Sequence, residues 1–238
     1  MTLALLGALL LIRVQGATSR PPWSPRPLSP FEIAKAEWLI RNRLPCLGCH
    51  EIGGEGGRIG PSLSDEKRLR TPEYVYRMIR DPQGTLPGTI MPRVPMSQAT
   101  LDLIASYLVQ REPTSSPGTP PRAPPPVVPQ PDTTQAGSTA VLYARSCAPC
   151  HGAGGRGDGY NSPFLPVRPT AHTDKVYMSR RSDDALFDAI YGGGYIMNRS
   201  NRMPPFGQTL TREQIWSLVG WLRTLCRCEG PAWSRGNR

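Results

Sequence analysis

Apolar residues along this chain recur at helical spacing in two separate stretches, and the end of one stretch repeats the end of the other. Leu101, Ile104, Ala105 and Leu108 share one helical face, and Ile215, Leu218, Val219 and Leu222 repeat it at a constant offset of 114 residues. Tyr107 falls on Trp221 at the same offset. Start and stop signals frame further helices. Ser29-Pro30-Phe31-Glu32 has the form of a capping box with proline in the first turn. It predicts a helix that carries Ile33, Ala34 and Trp38 toward a following cysteine pair. Thr71-Pro72 opens a second helix through Tyr74, Val75, Met78 and Ile79, stopped at Asp81-Pro82, and Ser97 opens a third. In the second stretch a short helix holds Val141, Leu142 and Tyr143. Ser182 caps a helix through Leu186, Phe187 and Ile190 that ends at Gly192, and Thr211-Arg212-Glu213-Gln214 opens the last one. No run alternates with the strand period, so the expected fold class is all-α, in two small domains.

Composition sets the limits of those domains. Nine prolines fall between residues 113 and 131. Such a run favours extended polyproline II over a packed core, which makes 113–133 a linker. Domain 1 is then 31–112 and domain 2 is 134–228, with a Pro-rich arm at 17–30 and a tail at 229–238. An SH3-type ligand role for either Pro-rich segment is the weaker alternative. The first twelve residues, Met1 to Ile12, are almost wholly apolar but too short to span a bilayer, which takes about 20 residues. They match the apolar region of a secretory signal peptide over 1–16, although a basic start is missing; an uncleaved N-terminal anchor is the alternative. The formal charge is +10. It reads as a solvated basic surface or as a docking surface for an acidic partner or an anionic membrane. No basic–aromatic module points to nucleic acid. Apolar residues make up 38% and aromatics 7% of the chain, so domains below about 100 residues would need help from a cofactor to complete a core.

The chemistry lies in a doubled pentapeptide. Cys46-Leu47-Gly48-Cys49-His50 and Cys147-Ala148-Pro149-Cys150-His151 both read CxxCH, the attachment signature of c-type haem. Two thiols three positions apart leave one helical turn on the same side, so both can form thioethers to one porphyrin. The His that follows sits under the ring. A redox dithiol needs no such His, and a shared four-Cys zinc site would have to close a loop of nearly one hundred residues. The glycines from Gly152 to Gly159 let backbone approach a porphyrin closely. They lack the Lys-Ser/Thr of a phosphate loop.

With a leading helix, CxxCH, a Gly-rich loop, a Met-Pro pair and a closing helix with an aromatic near its end, each half resembles a class I cytochrome c domain. The resemblance covers about 31–110 and 135–225. It implies two covalently bound haem c groups, held through Cys46, Cys49, Cys147 and Cys150. The axial ligands it implies are His50 with Met91 and His151 with Met203. Met203-Pro204-Pro205-Phe206-Gly207 resembles the family's ligand loop closely, leaving Met197 to pack and Met178 to a structural role. Met91-Pro92 has the Met-Pro form, whereas Met96 aligns with Leu210 just before a helix cap, the place of a hydrophobic staple. In the family a proline carbonyl accepts from the axial His ring; Pro61 is that candidate in domain 1, while Pro163, Pro166 and Pro169 leave domain 2 undecided. His172 reads as exposed or near a propionate, with iron ligation as the alternative. Cys226 and Cys228 could bridge, remain free thiols or pair with another chain.

The function implied is outer-sphere transfer of single electrons by an exported, periplasmic cytochrome, since a His/Met-bound iron has no open position. The implied partners are redox proteins: a donor dehydrogenase or quinol-oxidising complex and an acceptor oxidase or reductase. One alternative is a cytochrome subunit of a larger membrane-bound complex. The other is an enzyme, a di-haem peroxidase or a thiosulfate-oxidising cytochrome, which needs one displaceable ligand.

Overall fold

The structure is a computed structural model that describes residues 23–64, 70–111 and 138–234. The signal or anchor at 1–16, the start of the Pro-rich arm and the linker at 113–133 lie outside the described residues. In the first half α1 runs over Pro30–Asn42, α2 over Cys46–Cys49, α3 over Pro72–Arg80, α4 over Pro82–Thr85 and α5 over Gln98–Gln110. In the second, α6 runs over Thr139–Ser146, α7 over Ala148–His151, α8 over Lys175–Ser179, α9 over Asp183–Ile196 and α10 over Arg212–Cys226. A two-stranded antiparallel hairpin, β1 Glu51–Ile52 and β2 Glu55–Gly56, departs from a purely helical reading. It is a tight turn through Gly53 and Gly54, both at positive φ, just after the first CxxCH.

The caps form as their residue types require. Ser29 accepts from the Glu32 backbone while the Glu32 carboxylate accepts from the Ser29 backbone, and Thr211 and Gln214 do the same for α10. The repeated face is buried in both closing helices: Leu101, Ile104, Ala105 and Leu108 in α5, and Ile215, Leu218, Val219 and Leu222 in α10. The α5 helix packs on α1 and α3, and α10 packs on α6 and α9, so each half has its own core.

Three expectations need correction. In α1 the inward residues are Ala36 and Ile40, while Ile33 and Trp38 are exposed. That helix is apolar on more than one side, so spacing alone does not choose its face. The helix capped by Ser182 does not end cleanly at Gly192. Gly193 leaves helical geometry at φ 77 and one more turn follows to Ile196. The later part of the Pro-rich arm is also part of domain 1. Trp23 stacks on Tyr76 at 4.8 Å between ring centres, its Nε1 donates to Asp102 at 3.0 Å, and the Arg26 backbone joins Ser106 and Gln110. A large aromatic ring with a donor at one end gains from such a half-buried seat.

The two halves touch directly. Arg93 N donates to Thr209 Oγ1 at 2.9 Å, Arg145 donates to the Gly88 carbonyl at 2.7 Å, and Arg43 donates to the Tyr195 hydroxyl at 2.7 Å. The halves therefore meet through direct contacts and not through a tether alone.

Candidate haem sites

In the first half, α1 ends at Asn42 and the chain turns through Leu44 and Pro45 into the short helix of the first CxxCH. A cavity of about 330 Å³ opens beside it, lined by Cys46, Cys49, His50, Met91 and an apolar wall that includes Val75, Ile79, Ile104 and Leu108. The His50 ring is set from two sides. Its Nδ1 lies 2.8 Å from the Pro61 carbonyl, and Gly60 packs so close that a Cβ there would strike the imidazole. An Nδ1–H donated to Pro61 leaves Nε2 free of its proton, the form that ligates iron. Met91 is half-buried; its carbonyl accepts from Gln83 Nε2 at 2.7 Å and its N–H donates to Thr89 Oγ1 at 3.2 Å, both within the first half. Met96 also reaches the cavity wall but packs with the core beneath α5.

In the second half, α6 leads into the second CxxCH. The His151 Nδ1 lies 2.9 Å from the Thr170 carbonyl. None of the three candidate prolines is the partner, and the role passes to the residue after Pro169. The His172 ring is buried and stacks on the His151 ring at 4.1 Å and 17°. Its Nδ1 pairs at 3.0 Å with the Tyr143 hydroxyl, which also donates to the Gly152 carbonyl at 3.2 Å. His172 is thus not exposed, and it backs the His of the CxxCH. Met203 packs against the second core, as do Cys147 and Tyr143. Its carbonyl accepts from Gly194 N at 3.0 Å, and Gly193 is kept bare of a side chain by the close passage of the Met203–Pro205 backbone. Met197 follows the kinked end of α9, and Met178 is fully buried.

Burial controls the titration of these groups. It pushes the Cys46 thiol up to about 11 and the Cys49 and Cys147 thiols up to about 12, with Cys150 raised in the same direction. Burial also lowers His151 and brings His172 down to about 2, so both rings are neutral near pH 7. A zinc site would need its ligands to converge as a cage. Among the described residues no three His, Cys, Asp or Glu side chains do so. The donor set suits a haem instead: a thiol pair, an oriented imidazole and a thioether in each half, and in the first an apolar slot. Cys226 and Cys228 are joined by a disulfide at the end of α10.

The two CxxCH segments lie back to back, joined by a residue that periodicity does not single out. Asn161 is fully buried. Its Nδ2 donates to the Gly48 carbonyl at 2.8 Å and to Cys150 Sγ at 3.3 Å, and its Oδ1 accepts from Arg58 N at 2.6 Å. One amide thus spans both motifs. Its only sequence signal is a polar residue just past the Gly-rich loop.

Residues 134–222 match the family model described as cytochrome c oxidase, cbb3-type, subunit III. Over 203 residues, 82% of the chain, the sequence is 24% identical to the cbb3-type cytochrome c oxidase subunit FixP of Azorhizobium caulinodans. Over 72 residues it is 33% identical to cytochrome c oxidase subunit 2 of Alkalihalophilus pseudofirmus. These findings support a c-type cytochrome. They likewise support haem binding and electron transport. The chain spans 61% of the FixP subunit and the match covers 21% of the subunit 2 relative. Among solved structures, the KustC0563 c-type cytochrome aligns with 37% of this chain and 95% of its own at 26% identity and a TM-score of 0.30. A chain of the Kuenenia stuttgartiensis reducing HAO-like protein complex aligns with 84% of this chain and 98% of its own at 19% identity and a TM-score of 0.31. Overlaps at these TM-scores are too loose to define a shared fold. No helix among the described residues is long and apolar enough to cross a membrane.

Proposed function

We propose that this c-type cytochrome carries two haem c groups and moves single electrons between redox proteins by outer-sphere transfer. The observation that carries the reading is the first-half cavity, which gathers Cys46, Cys49, His50 and Met91 around one apolar space; the sequence supplies the same four donor types in the second half, where Cys147 and Met203 pack on one core. Cys46 and Cys49, and likewise Cys147 and Cys150, would hold a porphyrin by adding their thiol S–H bonds across its vinyl groups. His50 with Met91, and His151 with Met203, would hold the iron. Bound haem would supply a one-electron ferric/ferrous couple, and a thioether donor favours the ferrous state. The chain's own part is to orient the imidazoles through the Pro61 and Thr170 carbonyls and to offer each iron both a His and a Met, which would leave it no open position for substrate. That last point separates a carrier from a peroxidase or a thiosulfate-oxidising enzyme.

The setting proposed is the periplasm or the periplasmic face of the inner membrane, with the N-terminal apolar run as signal or anchor. The FixP match over most of the chain favours a second, narrower reading, that the cytochrome works as a subunit of a respiratory complex. A haem-stained blue-native gel of the native host separates the two, since a free carrier migrates near its own mass.

Denatured mass spectrometry should show two haem additions. A single addition, or four free thiols, would overturn the di-haem reading. Met91→Ala and Met203→Ala should each remove the near-infrared Met-to-ferric-iron absorption of one haem. Each should also lower that haem's potential by tenths of a volt, within the roughly 0.8 V that axial ligands span.

A further inference from the structure

The loop that supplies Met203 is gripped by the other half of the molecule. Asn201 Nδ2 donates to the Arg41 carbonyl at 3.1 Å and to the Leu44 carbonyl at 3.0 Å. Arg202 Nη1 donates to the Arg41 carbonyl at 3.2 Å, and its Nη2 donates to Glu55 Oε1 at 3.0 Å. These acceptors lie at the C-terminal end of α1 and in β2. Carbonyls of a last helical turn lack helical partners and carry the negative end of the dipole, so a guanidinium suits them. The Arg202 side chain is only 8% exposed, against 44% for Glu55, so the cation lies under the seam and its partner at the rim. Backbone meets backbone at the same place: a Cβ at Gly48, between the two cysteines of the first CxxCH, would strike the Arg202 carbonyl. The Met91 backbone itself bonds to Gln83 and Thr89 of the first half, while Gly88 and Arg93 on either side of it meet Arg145 and Thr209 of the second, with no buried cation between them.

We infer that Asn201 and Arg202 are positioning residues through which the first half holds Met203 on the second iron. Met ligation at the second haem then depends on the docked first half. The inference rests on the reading of Met203 as an axial ligand. The second half contributes its own anchor, the Gly194 N–H to the Met203 carbonyl. The grip from the first half therefore sets how firmly the loop stays closed and does not form it outright. Removing Glu55 leaves the buried Arg202 guanidinium with less compensation, and removing the guanidinium deletes its contacts to the Arg41 carbonyl and Glu55; a loop can relieve or express either change by opening. A haem whose Met detaches more readily is one that an added ligand captures more readily.

The test uses the full-length holoprotein and imidazole as the competing ligand. Proton NMR of the reduced protein should give two sets of ring-current-shifted Met methyl signals, and Met203→Ala identifies the second set by removing it. Imidazole titrations of the ferric protein then follow each haem in Glu55→Gln, which lies wholly in the first half, and in Arg202→Gln and Arg202→Lys. With two haems still attached by mass, Arg202→Gln should bind imidazole at the second haem on the order of tenfold more tightly, the factor equivalent to 1.4 kcal/mol. Glu55→Gln should shift the same haem in the same direction, Arg202→Lys should lie closer to the parent protein, and the first haem should not move. If Arg202→Gln and Glu55→Gln both bind imidazole at the second haem with the parent affinity, the grip from the first half is refuted while Met203 stays a ligand. If Met203→Ala leaves both sets of Met signals in place, the ligand assignment itself fails and the inference falls with it.

Discussion

The two halves present the same four donor types, yet they surround them differently. In the first, the His50 ring is half-buried and its Nδ1 partner is the carbonyl of the exposed Pro61. In the second, His151 is backed by the buried His172, which Tyr143 ties to the CxxCH turn through the Gly152 carbonyl. Both Met loops touch the other half, but only the Met203 loop does so through a buried guanidinium, that of Arg202, whereas the Met91 loop does so through backbone at Gly88 and Arg93. A ferric haem carries one more positive charge than a ferrous one, so surroundings further from water favour the reduced state and raise the potential. On the proposed di-haem reading, the second site should therefore have the higher potential.

The largest way to break this comparison is to cut the seam that joins the halves. Asn161→Ala removes the amide that spans both motifs, and takes from the buried Gly48 carbonyl the partner it has at 2.8 Å. An unsatisfied buried group costs about 1–3 kcal/mol, so a loss of roughly 2 kcal/mol is expected. For a protein of this size that is a fall in melting temperature of about 4–8 °C. Differential scanning calorimetry of the holoprotein measures it, and a change of less than about 2 °C would show that the seam does not couple the stability of the halves.

A smaller change sharpens the contrast between the proximal sides. His172→Ala takes away the ring that covers His151 and lets water nearer the second iron. The second potential should fall by tens of millivolts, where about 60 mV is a tenfold shift in a one-electron equilibrium. His172→Phe keeps an apolar ring over His151 without the Tyr143 contact, and should restore most of that loss. The first potential should stay put in both variants. A potentiometric titration resolved into two waves decides it; equal shifts in both waves would mean that His172 acts on overall packing and has no specific hold on His151.

What was legible in the sequence was local. The caps at Ser29, Thr71, Ser97, Ser182 and Thr211 all form, because each is a short-range exchange between a side chain and its own first turn. The buried faces of α5 and α10 follow their spacing for the same reason. The thiol pairs and the His after each pair were legible because attachment chemistry dictates the spacing. What was not legible depends on which surface meets which. Ile33 and Trp38 are apolar and yet exposed, since spacing shows that a helix has an apolar side but not where its neighbour stands. Thr170 replaced a proline as the partner of His151 because a carbonyl is available at every residue and only the path of the loop selects one. Asn161, Asn201 and Arg202 do their work across the seam, between residues more than a hundred positions apart, where no local pattern reaches.

The smallest contrast lies in the caps themselves. The box on α1 closes with Glu32, whose carboxylate also pairs with Arg26 at 2.6 Å, while the box on α10 closes with Gln214, which carries no charge at any pH. The Arg26 guanidinium, followed by the Ser29 backbone, holds Glu32 well below the usual carboxylate range, at about 2. A carboxylate whose folded value is depressed contributes stability that is fully present above its unfolded value of 4.5 and is lost as pH falls from there through about 2. Glu32→Gln, which makes the first box resemble the second, should therefore melt slightly below the parent protein near pH 7. That gap should close as the pH is lowered from about 4.5 toward 2. Because Glu32 is at the surface, the gap should also narrow with added salt. Thermal melts of parent and variant across that pH range measure it, and a gap that stays constant down to pH 2 would assign the cap's contribution to geometry instead of charge.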